Sequence, residues 1–163
     1  MKILVCGGAG FIGSAFIRNY LNNNPKDKII NLDSLTIGSN LKNLKKIEQN
    51  KNYQFIKGDI KNQKVVNDLV RDVDTIINFA AESHVDRSIA NPKPFIETNI
   101  LGTYSLLEAT KKYDSLFIHV STDEVYGDAE NEDSFTEKSI INPSNPYSAT
   151  KASADHLVSA YHR

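Results

Sequence analysis

Cysteine is nearly absent: Cys6 stands alone in 163 residues, beside a single methionine and no tryptophan. A lone cysteine excludes an internal disulfide and any cysteine-cluster zinc site, and it suits a reducing cytoplasm, the location expected here. Inside an apolar stretch, Cys6 reads as a small core residue. An excess of charge of one sign is lacking too. The 19 Lys and Arg against 20 Asp and Glu leave a formal net charge of −1, with neither sign gathered into a block. That balance argues against a nucleic-acid groove or a membrane-binding face and points to a small-molecule substrate. Long hydrophobic runs are missing as well. The opening MKILVCGGAG meets its glycines far short of a signal-peptide core or a span of about 20 apolar residues, so no targeting or membrane segment is expected.

What is present is alternation. With 40% hydrophobic residues, residues 1–163 can bury one core of ordinary domain size and are expected to form a single domain. Nearly continuous apolar runs at 2–6, 28–32, 53–57, 74–80 and 116–121 read as strands of a parallel sheet covered on both faces. Between them, helical patterns lie near 11–22, 62–71, 93–112 and 146–162, with a shorter helix expected at 40–49. The order predicts an α/β fold with a doubly wound parallel sheet of Rossmann type. The polar stretch 127–146 reads as a surface excursion.

GGAGFIG follows the first strand and opens a helix. It satisfies Gly-x-x-Gly-x-x-Gly through Gly7, Gly10 and Gly13, and Gly-x-Gly-x-x-Gly through Gly8, Gly10 and Gly13. Glycines there let backbone N–H groups approach a pyrophosphate at the positive end of a helix and let that helix pack close to the sheet. Asp33 ends the second strand, where a carboxylate accepts from ribose hydroxyls and repels a 2′-phosphate, so NAD is expected in preference to NADP. A tight structural turn and a helix cap are the plainer readings of these residues.

YSATK sets Tyr147 and Lys151 four residues apart, on one helix face. A nearby ammonium is expected to lower the phenol pKa and make Tyr147 a proton acceptor. STDEVYG, residues 121–127, raises a different question, because adjacent carboxylates at the end of a buried strand cost desolvation. Carboxylates kept at such a cost suggest chemistry, against the plain alternative of a capping or solvated turn.

Together, GGAGFIG and YSATK resemble the extended short-chain dehydrogenase/reductase family. FAAESHVDRS at 79–88, ETNILGTY at 97–104 and STDEVYG look like its dTDP-glucose 4,6-dehydratases in particular. The resemblance implies NAD as cofactor, a nucleotide-sugar substrate (dTDP-glucose) and a homodimer through helices 93–112 and 146–162. It also implies catalytic roles: Tyr147 with Lys151 and Thr122 at the sugar 4-hydroxyl, Glu124 as base at C5, and a protonated Asp123 as acid on the 6-hydroxyl. Phe11 and Ile12 resemble phosphate contacts, Ser34, Leu35 and Thr36 flank the ribose, and Asp59 with Ile60 resemble adenine contacts. Ala80, Ala81 and Ser83 resemble the nicotinamide wall, Ser83 and Thr122 also lie near the sugar, and Thr98 is similar to a further cofactor contact. No metal ligand is implied. His84 and Arg87 read as a structural residue and a salt-bridge partner. Cys6 and LTIGSNL (35–41) depart from the family's usual threonine and LTYAGNL. Family members are longer, with a C-terminal lobe that holds the nucleotide. The expectation is therefore a sheet cut short of its last strands, with an exposed apolar edge prone to association. An NAD-binding module with little turnover, or a small epimerase or reductase, are the competing readings.

Overall fold

The computed structural model describes residues 1–129 and 134–162. Of the 127–146 excursion, residues 130–133 lie outside the described residues. Strands β1 (Lys2–Cys6), β2 (Lys28–Asp33), β3 (Tyr53–Lys57), β4 (Thr75–Asn78) and β5 (Leu116–His119) pair in parallel, in the order β3-β2-β1-β4-β5. The chain winds outward from β1 through β2 to β3, then returns to lay β4 on the other side of β1. A doubly wound sheet opens a crevice at such a reversal, beyond the C-terminal ends of the central strands.

The inner strands are apolar on both sides because both faces are covered. Leu4, Cys6, Leu32, Ile76, Leu106 and Ala109 pack on one face, and Ile3, Val5, Ile17, Ile29 and Leu44 on the other. Alternate residues of β1 thus serve opposite cores, as a period of two requires. Cys6 is fully buried, and burial pushes its thiol up. The last strand departs from the two-sided cover read from its apolar run and carries instead the exposed apolar edge that the sequence reading also expected. In β5, Leu116 and Ile118 are exposed, because no described helix covers that face of the edge strand.

The helices are α1 (Phe11–Asn23), α2 (Gln63–Val70), α3 (Val85–Ala90), α4 (Lys93–Phe95), α5 (Thr103–Tyr113) and α6 (Pro146–His162). The short helix expected at 40–49 is a 3-10 turn over Leu41–Ile47, capped by the Asn40 side chain and burying only Leu44. Helix α3 was not anticipated, since its six residues VDRSIA are too few to establish an apolar period. The long helix expected at 93–112 is continuous, but Ile96–Gly102 between α4 and α5 winds as a π-helix. No described helix is long and apolar enough to cross a membrane.

The π segment positions the site. Asn99 is 1% exposed, and its Oδ1 accepts from Glu82 N at 2.9 Å. Its Nδ2 donates to Glu82 O and to Thr150 Oγ1, both at 2.9 Å. One amide therefore ties the loop after β4 to α6, as widened helical turns often do near functional sites. Replacing Asn99 with Leu strips buried partners and should lower stability by roughly 2–4 kcal/mol. Denaturant unfolding of the variant checks this, and a loss under about 0.5 kcal/mol would dismiss the tie.

Candidate active site

A cleft of about 560 Å³ opens at the C-terminal edge of the sheet. Gly7, Gly10, Phe11, Ile12 and Gly13 form one wall. Gly7 has φ +76°, and a Cβ there would stand 2.5 Å from Ala80 N; one on Gly13 would overlap Gly7 O. Both positions demand glycine for lack of space, and Gly7 for conformation as well. Gly10 caps α1, whose first turn holds no acidic side chain, so the N–H groups of that turn are available to an anion.

Asp33 lines the cleft at 5% exposure. Its Oδ2 accepts from Ala9 N at 2.9 Å, and its Oδ1 from Leu35 N and Ser39 Oγ, both at 2.8 Å. Three of roughly four acceptor positions are used within the chain, leaving one for a ligand hydroxyl. Ser34, Thr36, Asp59 and Ile60 line the cleft beside it, with Ser39 and Lys61. Leu35 does not. Its φ is +58° and its side chain packs against the core of Ile3 and Ile17 rather than lining the cleft.

The other wall carries Ala80, Ala81, Ser83 and Thr98, then Tyr147 and Lys151 from α6. Tyr147 is 8% and Lys151 3% exposed. The ridge departs from expectation in one respect. The Tyr147 phenol is raised, first by burial and then by the carboxylates of Glu124, Asp123 and Asp155, while a hydrogen bond with Thr122 lowers it. Lys151 does not act on the phenol here, because its Nζ turns away to donate to Val120 O at 2.7 Å and meets His119 Nε2 at 3.2 Å. Burial lowers Lys151 to about 8, against the raising effect of Asp155.

Thr122, Asp123 and Glu124 form the rim rather than the lining. Asp123 and Glu124 begin the 3-10 turn Asp123–Tyr126, capped by the Thr122 hydroxyl accepting from Glu124 N at 3.3 Å. Glu124 is half-buried and accepts from Asn145 Nδ2 at 3.0 Å, whereas Asp123 is exposed. The expected burial of the adjacent carboxylates is thus found in part for Glu124 and not for Asp123, which has no described element over it.

His84 is an exposed helix cap, and Arg87 lies 4.0 Å from Glu82. No metal-holding cluster of His, Cys, Asp and Glu occurs among the described residues. Sequence reasoning missed Ser39, Lys61 and Ser121 in the lining, and His119 and Asp155 behind it. Only Asp155 carried a signal, one turn beyond Lys151 on the same helix face.

The reversed parallel sheet, the glycine turn and the tyrosine–lysine ridge over one crevice define a Rossmann-type protein of short-chain dehydrogenase/reductase build. The chain belongs to the GDP-mannose 4,6 dehydratase family, whose model matches residues 4–163. It is 51% identical over 162 residues to the low-salt glycan biosynthesis protein Agl12 of Haloferax volcanii, covering 99% of this chain and 52% of that protein. It is 48% identical to a dTDP-glucose 4,6-dehydratase of Escherichia coli, covering 100% of this chain and 51% of the other. Among solved structures, it is similar to a double mutant of DesIV, the dTDP-glucose 4,6-dehydratase of Streptomyces venezuelae, with NAD and DAU bound. There the TM-score is 0.96 at 45% identity, over 100% of this chain and 52% of that one. The chain spans about half the length of the curated relatives it matches.

The Lys151 pKa of about 8, below the ordinary 10.5, gives a signed pH dependence. Between those values the unfolded chain binds more protons than the folded one, so folding stability rises with pH across that window. Relative to Lys151→Met, the native chain should gain roughly 1–3 kcal/mol from pH 8 to pH 10.5, read from paired denaturant curves. Parallel curves would refute the depressed lysine.

Proposed function

We propose that residues 1–163 form the NAD-binding domain and reaction centre of a nucleotide-sugar dehydratase, converting dTDP-glucose to its 4-keto-6-deoxy product and water. One observation carries this reading: Tyr147 lines the cleft beside Lys151, and Thr122 and the carboxylates of Asp123 and Glu124 lie close enough to act on its phenol. The names of the relatives support the same reading.

The residues present fit the dinucleotide. Gly7 and Gly13 leave a cradle that any Cβ would fill, next to the open first turn of α1, and Asp33 keeps an acceptor position for a ribose hydroxyl. Ala80, Ala81, Ser83 and Thr98 bound the nicotinamide end. When bound, NAD supplies the acceptor for a hydride from C4 of the sugar and its donor to C6.

Tyr147 accepts the proton of the sugar 4-hydroxyl as the C4–H bond breaks and C4 becomes a carbonyl. Lys151, turned toward the phenol, offsets the negative charge, and Thr122 and Ser83 orient the sugar. The carbonyl acidifies C5–H, whose proton Glu124 takes. Asp123 gives a proton to the 6-hydroxyl, which departs as water and leaves a C5–C6 double bond. Hydride at C6 and a proton at C5 then saturate that bond. Two carboxylates divide the work of giver and taker. Enclosure of exposed Asp123 by a further part of a longer protein belongs to this proposal, as does a cytoplasmic location. A homodimer through helices 93–112 and 146–162 belongs to it too, supported by exposed Ile96, Leu101 and Tyr104.

The exposure of Asp123 and the half-length match favour a second reading, an NAD-binding module with little turnover. Incubation with dTDP-glucose and NAD+ separates the two. Alkali-induced absorbance of a 4-keto sugar supports the dehydratase, NAD binding by calorimetry without product supports the module, and neither result sinks both. Where product forms, Asp123→Asn should slow elimination by roughly 100- to 10,000-fold while C4 oxidation continues. Wild-type product formation in that variant would remove Asp123 from the reaction.

A further inference from the structure

Behind Lys151 runs a directional chain of hydrogen bonds. Ala80 N–H donates to Asn78 Oδ1 at 3.1 Å, which fixes the orientation of that amide, since a turned amide would set two donors face to face. Asn78 Nδ2 therefore meets His119 Nδ1, at 3.3 Å, and also lies 3.5 Å from Thr103 Oγ1. Asn78 is 1% exposed, so water cannot relieve a mismatch. An imidazole nitrogen facing an N–H donor must offer its lone pair, and the proton of the neutral ring then sits on Nε2. Nε2 is the atom 3.2 Å from Lys151 Nζ.

We infer that His119 is a positioning residue for Lys151: held by Asn78 as the Nε2–H tautomer, it turns an N–H toward the lysine nitrogen and so opposes the ammonium form. An amine nitrogen accepts that hydrogen, whereas an ammonium meets it donor to donor. For a charged Lys151 to donate to His119, the ring must move its proton to Nδ1. The Asn78 amide must then turn over and release Ala80 N–H, which lies in the cleft wall. The charge on Lys151 is thus coupled to a backbone donor elsewhere in the same wall of the crevice.

The neighbouring groups act in a defined balance. Burial and the Lys151 cation push the imidazole down to about 3, so it stays neutral above that pH. Asp155, one turn further along α6, pulls the other way: it favours the ammonium, lies 3.6 Å from His119 Nε2, and accepts from Ser121 Oγ at 2.6 Å. From the 3-10 turn packed on α6, Asp123 and Glu124 bear on Tyr147, one turn before Lys151. His119 and Asp155 thus hold Lys151 between two charge states. The catalytic meaning rests on the hydride-transfer reading above, while the tautomer itself rests on geometry alone.

The test uses the 163-residue chain without cofactor or sugar, so failure of the dehydratase reading leaves it intact. Two-bond 1H–15N spectra of His119 should show Nε2 protonated and Nδ1 bare; the Nδ1–H tautomer overturns the inference, whatever any variant does. Titration of Lys151 by its side-chain 13C and 15N resonances gives the second readout. In His119→Gln the amide oxygen is free to accept from the lysine, and the midpoint should rise by about one pH unit, a tenfold gain in proton affinity. A midpoint within about 0.3 units of the native one overturns the coupling.

Discussion

No side chain can stand between the glycine turn and the end of β4. Gly7 lies where any Cβ would press on the backbone of Phe79 and Ala80, and Gly13 lies where one would strike Gly7 O. That close approach of backbone to backbone sets the width of the crevice and brings the N-terminus of α1 over it. From it follows which residues face each other across the cleft: Asp33 at the end of β2 on one side, and the loop after β4 with α6 on the other. A bulkier turn would push α1 off the sheet and leave its amides aimed at solvent.

The far wall depends on a second device, a buried amide in a widened helical turn. The π segment Ile96–Gly102 shifts Asn99 to where it bonds Glu82 on both backbone atoms and reaches Thr150 on α6. Ser88 adds a further tie by accepting from Tyr147 N at 3.1 Å. Tyr147 and Lys151 thus ride on a helix anchored by polar contacts rather than by apolar burial alone. Such anchoring suits groups that must hold position while their charges change.

Electrostatically, the site is poised rather than set. Burial raises the Tyr147 phenol and lowers the Lys151 ammonium, so both are pushed toward neutrality. The rim carboxylates add to the first effect and Asp155 opposes the second. In the arrangement described, the lysine serves the backbone of Val120 and the ring of His119 rather than the phenol. In the proposed reaction, proton acceptance by Tyr147 requires that this lysine turn toward it. Among the described residues, none covers Asp123 on the rim, in a chain that spans about half the length of its relatives.

Much was legible from residues alone. Periodicity located all five strands within a few residues, because continuous apolar runs have few other uses in a parallel sheet, and the glycine spacing and the four-residue step from Tyr147 to Lys151 follow from local geometry. The resemblance carried by STDEVYG pointed to the acid pair, since two carboxylates at a strand end demand an explanation. Other features were decided only by folding. The π winding at Asn99, the packing role of Leu35, the bond from Ser39 to Asp33, and the convergence of Asn78, His119 and Asp155 on Lys151 join residues far apart in sequence. Hydrogen-bond direction and burial are properties of a residue's surroundings in three dimensions. A linear pattern therefore names the ionisable groups, and the tertiary structure alone decides which of them face one another and in which state of charge.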